Sequence, residues 1–112
     1  MDGIDPQKAL HSIAKMAPHY AQAKANRIYV EQYRKTIKAT LMKKAELEGH
    51  KAAATQEREA YADDSYIRHL EALREAVQIE EELRWKLVAA EAAIEVWRSQ
   101  ESTNRMMDRS AA

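Results

Sequence analysis

Apolar residues recur along most of the chain at spacings of three and four residues, which is the period of an amphipathic α-helix. In the first half this apolar stripe runs through Val30, Tyr33, Ile37, Leu41 and Leu47. No stretch alternates apolar and polar residues between turn residues, as a half-buried β-strand would. The pattern therefore predicts an all-α protein.

Cap and breaker residues divide the first half into two predicted helices. Asp5 can cap free backbone amides and Pro6 is tolerated at the first helical position, so a short helix is predicted over about 6–16. Pro18 disfavours helical backbone at the preceding residue and ends that helix. A second helix is predicted over about 19–62. Gly49 could bend or end it, but the strong helix formers that follow favour continuation.

Asp63-Asp64-Ser65 is the clearest break in the second half, because three cap-type residues in a row suit a turn and a new helix start. We expect a third helix over about 65–107, frayed from Arg105 onwards. Its first apolar stripe is Tyr66, Leu70, Leu73 and Val77, and its second is Leu83, Leu87, Ala90, Ile94 and Trp97. The two stripes are out of phase by about one residue, which predicts a stutter and local unwinding near residues 79–82.

These elements predict one domain over residues 1–112, a short N-terminal helix plus a long antiparallel helical hairpin that resembles a coiled coil. A third helix of that length would be roughly 65 Å long, and a hairpin so thin buries little core. Self-association is the natural remedy, so we expect a homo-oligomer. The residues expected at its subunit interface are Leu87, Ile94, Trp97 and Trp85, with core packing as the alternative for the two tryptophans.

Charge is unevenly distributed although the net charge is zero. Residues 1–51 carry ten Lys and Arg against five Asp and Glu, and residues 52–112 carry eight against thirteen. One interpretation is that the two halves attract each other across the hairpin. The other is that the first half offers cations to an anionic partner, and both can hold together.

Composition also bounds the location of the protein. The chain has no cysteine, which excludes disulfides and thiolate metal sites and fits a reducing compartment. No apolar run approaches the roughly 20 residues that cross a membrane, and the first residues lack the apolar run of a secretory signal. We therefore expect no membrane association and a cytoplasmic location, in the host cell if the protein is phage-encoded.

No catalytic or metal-binding motif is present. The sequence has no Gly-rich phosphate loop, and its histidines, at positions 11, 19, 50 and 69, have no recognised metal-ligand spacing. His69 is interpreted as a capping or surface residue, with a catalytic role as the alternative. The run Glu80-Glu81-Glu82 points around a helix and is interpreted as solvated surface. We predict neither an enzyme nor a cofactor or metal site.

A basic cluster on the second helix is the strongest candidate site. Five cations share one broad helical face at about 100° per residue: Lys24, Arg27, Arg34, Lys35 and Lys38. Tyr29 and Tyr33 are interpreted as lying beside this face. Cations with neighbouring aromatic rings are what single-strand binding uses. The alternative is that Tyr33 belongs to the core and the cations are ordinary surface.

The order of these elements resembles a known family. The stretches that carry the resemblance are YVEQYRKTIKATLM, REAYADDSYIRHLEAL and EVWRSQESTNR, the last with Trp97 in an Arg-rich segment. Over about residues 20–109 the chain resembles the small helical recombination mediators of bacteriophages, the UvsY-like proteins. This resemblance implies an oligomer that binds single-stranded DNA and helps a recombinase displace single-strand binding protein. The residues carried over would be Arg27, Arg34, Lys35 and Lys38.

A second hypothesis is a protein-only interaction module, such as a phage inhibitor of a host system or an assembly adaptor. It would use the Glu-rich third helix together with Trp85 or Trp97 to bind a protein partner.

Overall fold

The computed structural model describes residues 3–111; Met1, Asp2 and Ala112, which the predicted domain includes, lie outside the described residues. Within this described part, three helices follow one another: α1 (Pro6–Leu47), α2 (Ala53–Ala62) and α3 (Asp64–Ala111). Residues 3–111 contain no strand, so the predicted all-α class is confirmed.

The start of α1 follows from a local cap. The Asp5 carboxylate accepts hydrogen bonds from the backbone N–H groups of Gln7 and Lys8, at 2.9 and 3.3 Å. These N–H groups have no partner inside the helix, so the side chain supplies one. The predicted helix start at Asp5-Pro6 is confirmed.

Pro18 does not break α1, and the predicted separation of a helix over 6–16 from one starting at 19 is wrong. A proline inside a helix costs about 3 kcal/mol, because it removes one backbone hydrogen bond and crowds the preceding turn. Here Pro18 is exposed, while Ile13, Met16 and Tyr20 keep one inward-facing stripe on both sides of it. Ala14, whose carbonyl loses its partner, is also exposed and open to water. We infer that packing along the stripe outweighs the lost bond.

Gly49 ends the helical run, so the predicted continuous helix over 19–62 is also wrong. Its φ of 105° is left-handed backbone, which glycine adopts without a steric penalty. The Gly49 N–H donates to the Glu46 carbonyl at 3.1 Å, and the His50 N–H donates to the Ala45 carbonyl at 3.0 Å. This pair of bonds is the Schellman arrangement that terminates helices.

Asp63 caps α3, as the cap-type residues predict. Its carboxylate accepts the Ser65 backbone N–H at 2.8 Å, and its carbonyl accepts the N–H groups of Tyr66 and Ile67. The Ser65 N–H, with the Lys44 ammonium 3.4 Å away as a second cause, holds the pKa of Asp63 below its ordinary value. The helix continues to Ala111, beyond the fraying predicted from Arg105.

One stripe of less exposed positions in α3 recurs without a slip from Tyr66 to Glu101 at alternating spacings of three and four. They are Tyr66, His69, Leu73, Ala76, Glu80, Leu83, Leu87, Ala90, Ile94, Trp97 and Glu101. The predicted stutter near residues 79–82 is therefore wrong. Leu70 and Val77, which suggested it, are 39% and 41% exposed, while the charged Glu80 occupies the inward position at 6%.

The chain divides into two compact units, Met1–Ala21 with Glu81–Ala112, and Gln22–Glu80. In the second unit α1 and α3 run antiparallel. Arg27 on α1 contacts Glu80 on α3, whereas Lys44 near the end of α1 contacts Asp63 at the start of α3. This pairing agrees with the predicted antiparallel arrangement.

Gly49→Ala is expected to destabilise the protein by about 1–2 kcal/mol, because a Cβ disfavours left-handed backbone. Nothing lies within 4 Å of the added Cβ, so backbone strain is the expected cause. Urea unfolding followed by circular dichroism measures the change. Gly3→Ala is the matched control, since its Cβ also meets open space and no left-handed backbone is involved. Equal stability of both variants would contradict the assigned role of Gly49.

Candidate functional site

Three cations and two tyrosines line an open groove of about 460 Å³ in the Gln22–Glu80 unit. We call this surface the basic groove, and it consists of Arg34, Lys35 and Lys38 from α1, Tyr61 from α2 and Tyr66 from α3. Its volume falls within the roughly 300–1,000 Å³ of small-ligand sites. All three helices contribute to it.

The chain reversal at Gly49 brings the aromatic wall of the groove to the cations. Lys38 and Glu57 are 19 residues apart in sequence, and their Nζ and Oε1 atoms are 3.2 Å apart. In one continuous helix they would be separated by about 28 Å along the axis. The Asp63 turn then places the rings of Tyr61 and Tyr66 edge to face, with centroids 5.1 Å apart.

Lys38 lies between a carboxylate and an aromatic ring. Its ammonium is 3.2 Å from Glu57 and 4.8 Å from the centroid of the Tyr61 ring. Tyr61, and after it Glu57, raises the pKa of Lys38, while Lys38, and after it Tyr61, lowers the pKa of Glu57. Both groups are therefore charged at neutral pH, and Lys38 is already paired.

Arg34 and Lys35 are the cations of the groove that no carboxylate within residues 3–111 neutralises. Within residues 3–111 neither has an ion-pair partner. Arg34 is half-buried and Lys35 is exposed. A guanidinium group carries five N–H donors, so a half-buried one favours an acceptor such as a phosphate. The groove thus offers positive charge and hydrogen-bond donors to an anion.

Arg27, predicted to bind nucleic acid, is instead engaged in the interior of the α1–α3 pair. Its Nε and Nη2 atoms donate to the two carboxylate oxygens of Glu80, at 2.6 and 3.1 Å, and its Nη1 donates to Glu31 at 2.8 Å. Glu80, and after it Glu31, raises the pKa of Arg27 above its ordinary value. Since Glu80 is only 6% exposed, its interpretation as solvated surface is wrong. The α-helical period places Glu80 on the inward face of α3, where Arg27 donates hydrogen bonds to both of its carboxylate oxygens.

The remaining predicted cation and ring lie outside the groove. Lys24 is exposed and does not line it. Tyr29 precedes Lys38 by nine residues, or about two and a half helical turns, which places it on the opposite side of α1. It is 66% exposed and stacks on Tyr33, with ring centroids 5.8 Å apart. The rings beside the cations are instead Tyr61 and Tyr66, which follow from recognising Gly49 as a helix stop.

His69 has a structural position. Its Nε2 is 2.7 Å from the carbonyl oxygen of Val30, and the Tyr33 ring lies beside it with centroids 6.1 Å apart. The ring nitrogen facing a carbonyl oxygen acts as a donor. His69 therefore links α1 and α3, and its interpretation as a capping or surface residue is wrong.

Two further properties of the described part of the chain bear on the site. Residues 3–111 include no group of three or more His, Asp or Glu side chains placed to hold a metal ion. None of the helices formed by these residues has a stretch both long and apolar enough to span a membrane.

The predicted interface residues lie in the other unit, on its part of α3. Leu87, Ile94 and Trp97 are half-buried at inward-facing positions. Trp85 is 59% exposed, and the Arg84 guanidinium lies 4.6 Å from its ring centroid. Of these four, only Trp85 presents a large aromatic surface to solvent.

Comparisons with protein-family models, with curated proteins and with solved structures found no match to this chain. We therefore infer its function from the geometry and charge of the basic groove.

Arg27→Met is expected to lower the melting temperature by roughly 10 °C or more, because the buried Glu80 loses its bidentate partner. Glu80→Met should cost less, since Arg27 keeps Glu31 and its side chain is 26% exposed. The double variant should be more stable than Arg27→Met alone. Thermal unfolding of the wild type, the two single variants and the double variant gives the coupling free energy between the two side chains. Simply additive losses would show that the two side chains are not coupled.

Proposed function

We propose that this protein is a phage-type recombination accessory, or mediator, that binds single-stranded DNA through the basic groove. The observation that supports this proposal is the pair of cations, Arg34 and Lys35, that no carboxylate of residues 3–111 neutralises. The resemblance to UvsY-like mediators supplies the proposed partners, a recombinase or a single-strand binding protein.

The groove provides two kinds of contact that single strands require. Arg34 and Lys35 would bind backbone phosphates, Arg34 with two parallel N–H donors where geometry allows. Tyr61 would offer its ring surface to a base, with the nearly buried ring of Tyr66 packed behind it. Such stacking tolerates any sequence because every base has a π-face. Tyr61 is 42% exposed and Tyr66 9%, so Tyr61 is the ring more open to a base.

We also propose that the protein acts as a homo-oligomer. Among the described residues the buried ones are Ala45, Ala60, Tyr66, Ala76 and Glu80. Three of these are alanines, so the core contains little large apolar surface. A second copy would cover exposed apolar side chains, and repetition of the groove would raise affinity through multivalency.

Arg34→Glu with Lys35→Glu is expected to weaken binding to a fluorescently labelled oligo-dT by more than about tenfold, because two phosphate contacts become repulsive. Fluorescence anisotropy at several salt concentrations measures the affinity and its salt slope. The slope of the logarithm of the binding constant against the logarithm of the salt concentration should become shallower by roughly 1.4. Each of the two lost phosphate contacts on a single strand contributes about 0.7.

The matched control is Lys15→Glu with Lys43→Glu, which changes the net charge equally at two exposed positions of α1 outside the groove. It should lower the affinity by no more than about threefold. Circular dichroism checks that the variants fold, and Arg34→Gln with Lys35→Gln replaces the charge reversal if that pair does not. The proposal would be refuted if the wild type did not bind oligo-dT or bound it independently of salt. Equal losses of affinity in the groove double variant and the control double variant would also refute it.

The second candidate function is a protein-only interaction module, either a phage inhibitor of a host system or an assembly adaptor. The exposed ring of Trp85 favours it, since tryptophan often anchors protein interfaces. In that case a folded wild-type protein would not bind oligo-dT, and the groove reversal would leave binding to the protein partner intact.

A further inference from the structure

We propose that Glu57 competes with bound phosphate for Lys38, so that the basic groove carries its own displaceable anion. This inference rests on the proposed function, because the competing ligand is the backbone phosphate of a single strand. It divides the groove into two cations that are available at once and a third that is recruited only when Glu57 leaves.

The position of Glu57 makes this competition local. Lys38 lines the groove, and Glu57 approaches it from the first half of α2 with its Oε1 atom 3.2 Å from Nζ. A phosphate oxygen bound to the same ammonium would carry the same charge as this carboxylate. The two anions would repel each other, so occupation by one disfavours the other.

The exposure of the pair makes it displaceable. The side chains of Lys38 and Glu57 are 32% and 46% exposed, whereas the side chain of Glu80, which pairs with Arg27, is only 8% exposed. An exposed carboxylate can be hydrated when it leaves its partner, but a buried one cannot. Displacement of Glu57 is therefore easy compared with opening the Arg27 pair.

Tyr61 keeps Lys38 in place when Glu57 departs. The ammonium lies 4.8 Å from the centroid of the Tyr61 ring, within the range of a cation–π contact. Lys38 can thus exchange Glu57 for a phosphate without leaving the groove.

Glu57→Gln tests the competition, with Glu59→Gln as its matched control. Glu59 is an exposed residue of the same helix, and within residues 3–111 it has no ion-pair partner. Both changes remove one negative charge from α2. We expect Glu57→Gln to strengthen oligo-dT binding roughly two- to fivefold, the range of an exposed ion pair, and Glu59→Gln to change it less than about 1.5-fold.

A double-variant cycle separates competition from general electrostatics. Lys38→Gln should have little effect in the wild type, where Glu57 occupies Lys38, and should abolish the gain in the Glu57→Gln background. The salt slope of Glu57→Gln should be steeper than that of the wild type by about 0.7, the contribution of one added phosphate contact. Glu57→Ala repeats these measurements if the glutamine variant does not fold.

The outcomes distinguish this inference from the proposed function. If the wild type and all variants fail to bind oligo-dT, the proposed function fails, and the competition fails with it. If the wild type binds but Glu57→Gln and Glu59→Gln strengthen binding equally, the competition alone is overturned. The same holds if Lys38→Gln weakens binding equally in both backgrounds.

Discussion

The left-handed backbone of Gly49 determines where the chain turns, and the basic groove depends on that turn. Because α1 stops after Leu47 and two of its last carbonyls are satisfied by the turn itself, the chain can reverse within a few residues. The reversal places α2 alongside the end of α1, where Tyr61 reaches Lys38. A residue with a Cβ would strain this backbone by about 1–2 kcal/mol. One glycine thus connects a helix terminus to the assembly of the basic groove.

The contact between Arg27 and Glu80 has a different role from that of an apolar core pair. Removing two charges from water is costly, so a buried ion pair contributes little net stability relative to well-packed apolar residues. It does specify an alignment, because sliding α3 along α1 by one turn within the Gln22–Glu80 unit would separate the carboxylate from the guanidinium. We interpret the pair as fixing the register of these two helices, which buried Ala45 and Ala76 alone would specify weakly.

The sequence predicts the helical class and the helix starts at Asp5 and Asp63, because caps are local and depend on a few neighbouring residues. It predicts a helix end at Pro18, where the helix continues, and a continuing helix at Gly49, where the helix ends. Proline has the larger intrinsic penalty, yet α1 continues through Pro18, since that residue is exposed and the inward stripe is uninterrupted. Intrinsic propensity does not include such packing, nor the left-handed dihedral that ends the helix at Gly49. The burial of Glu80 is not predicted, because a search for apolar stripes skips a charged residue at an inward position. The stripe then appears to shift by one residue, which creates an apparent stutter.

Burial divides the positive charge of the first half into structural and available cations. Among the described residues, three ion pairs join the two halves: Arg27–Glu80, Lys38–Glu57 and Lys44–Asp63. These pairs differ in how readily they open. A buried carboxylate that leaves its partner stays uncompensated and away from water, whereas an exposed carboxylate is hydrated when the pair opens. The attraction between the halves and the binding of an external anion are therefore compatible. The first uses Arg27 and Lys44, the second would use Arg34 and Lys35, and Lys38 would be shared between them. An anion entering the groove would meet Arg34 and Lys35 first, and would recruit Lys38 only by replacing a carboxylate of the protein itself.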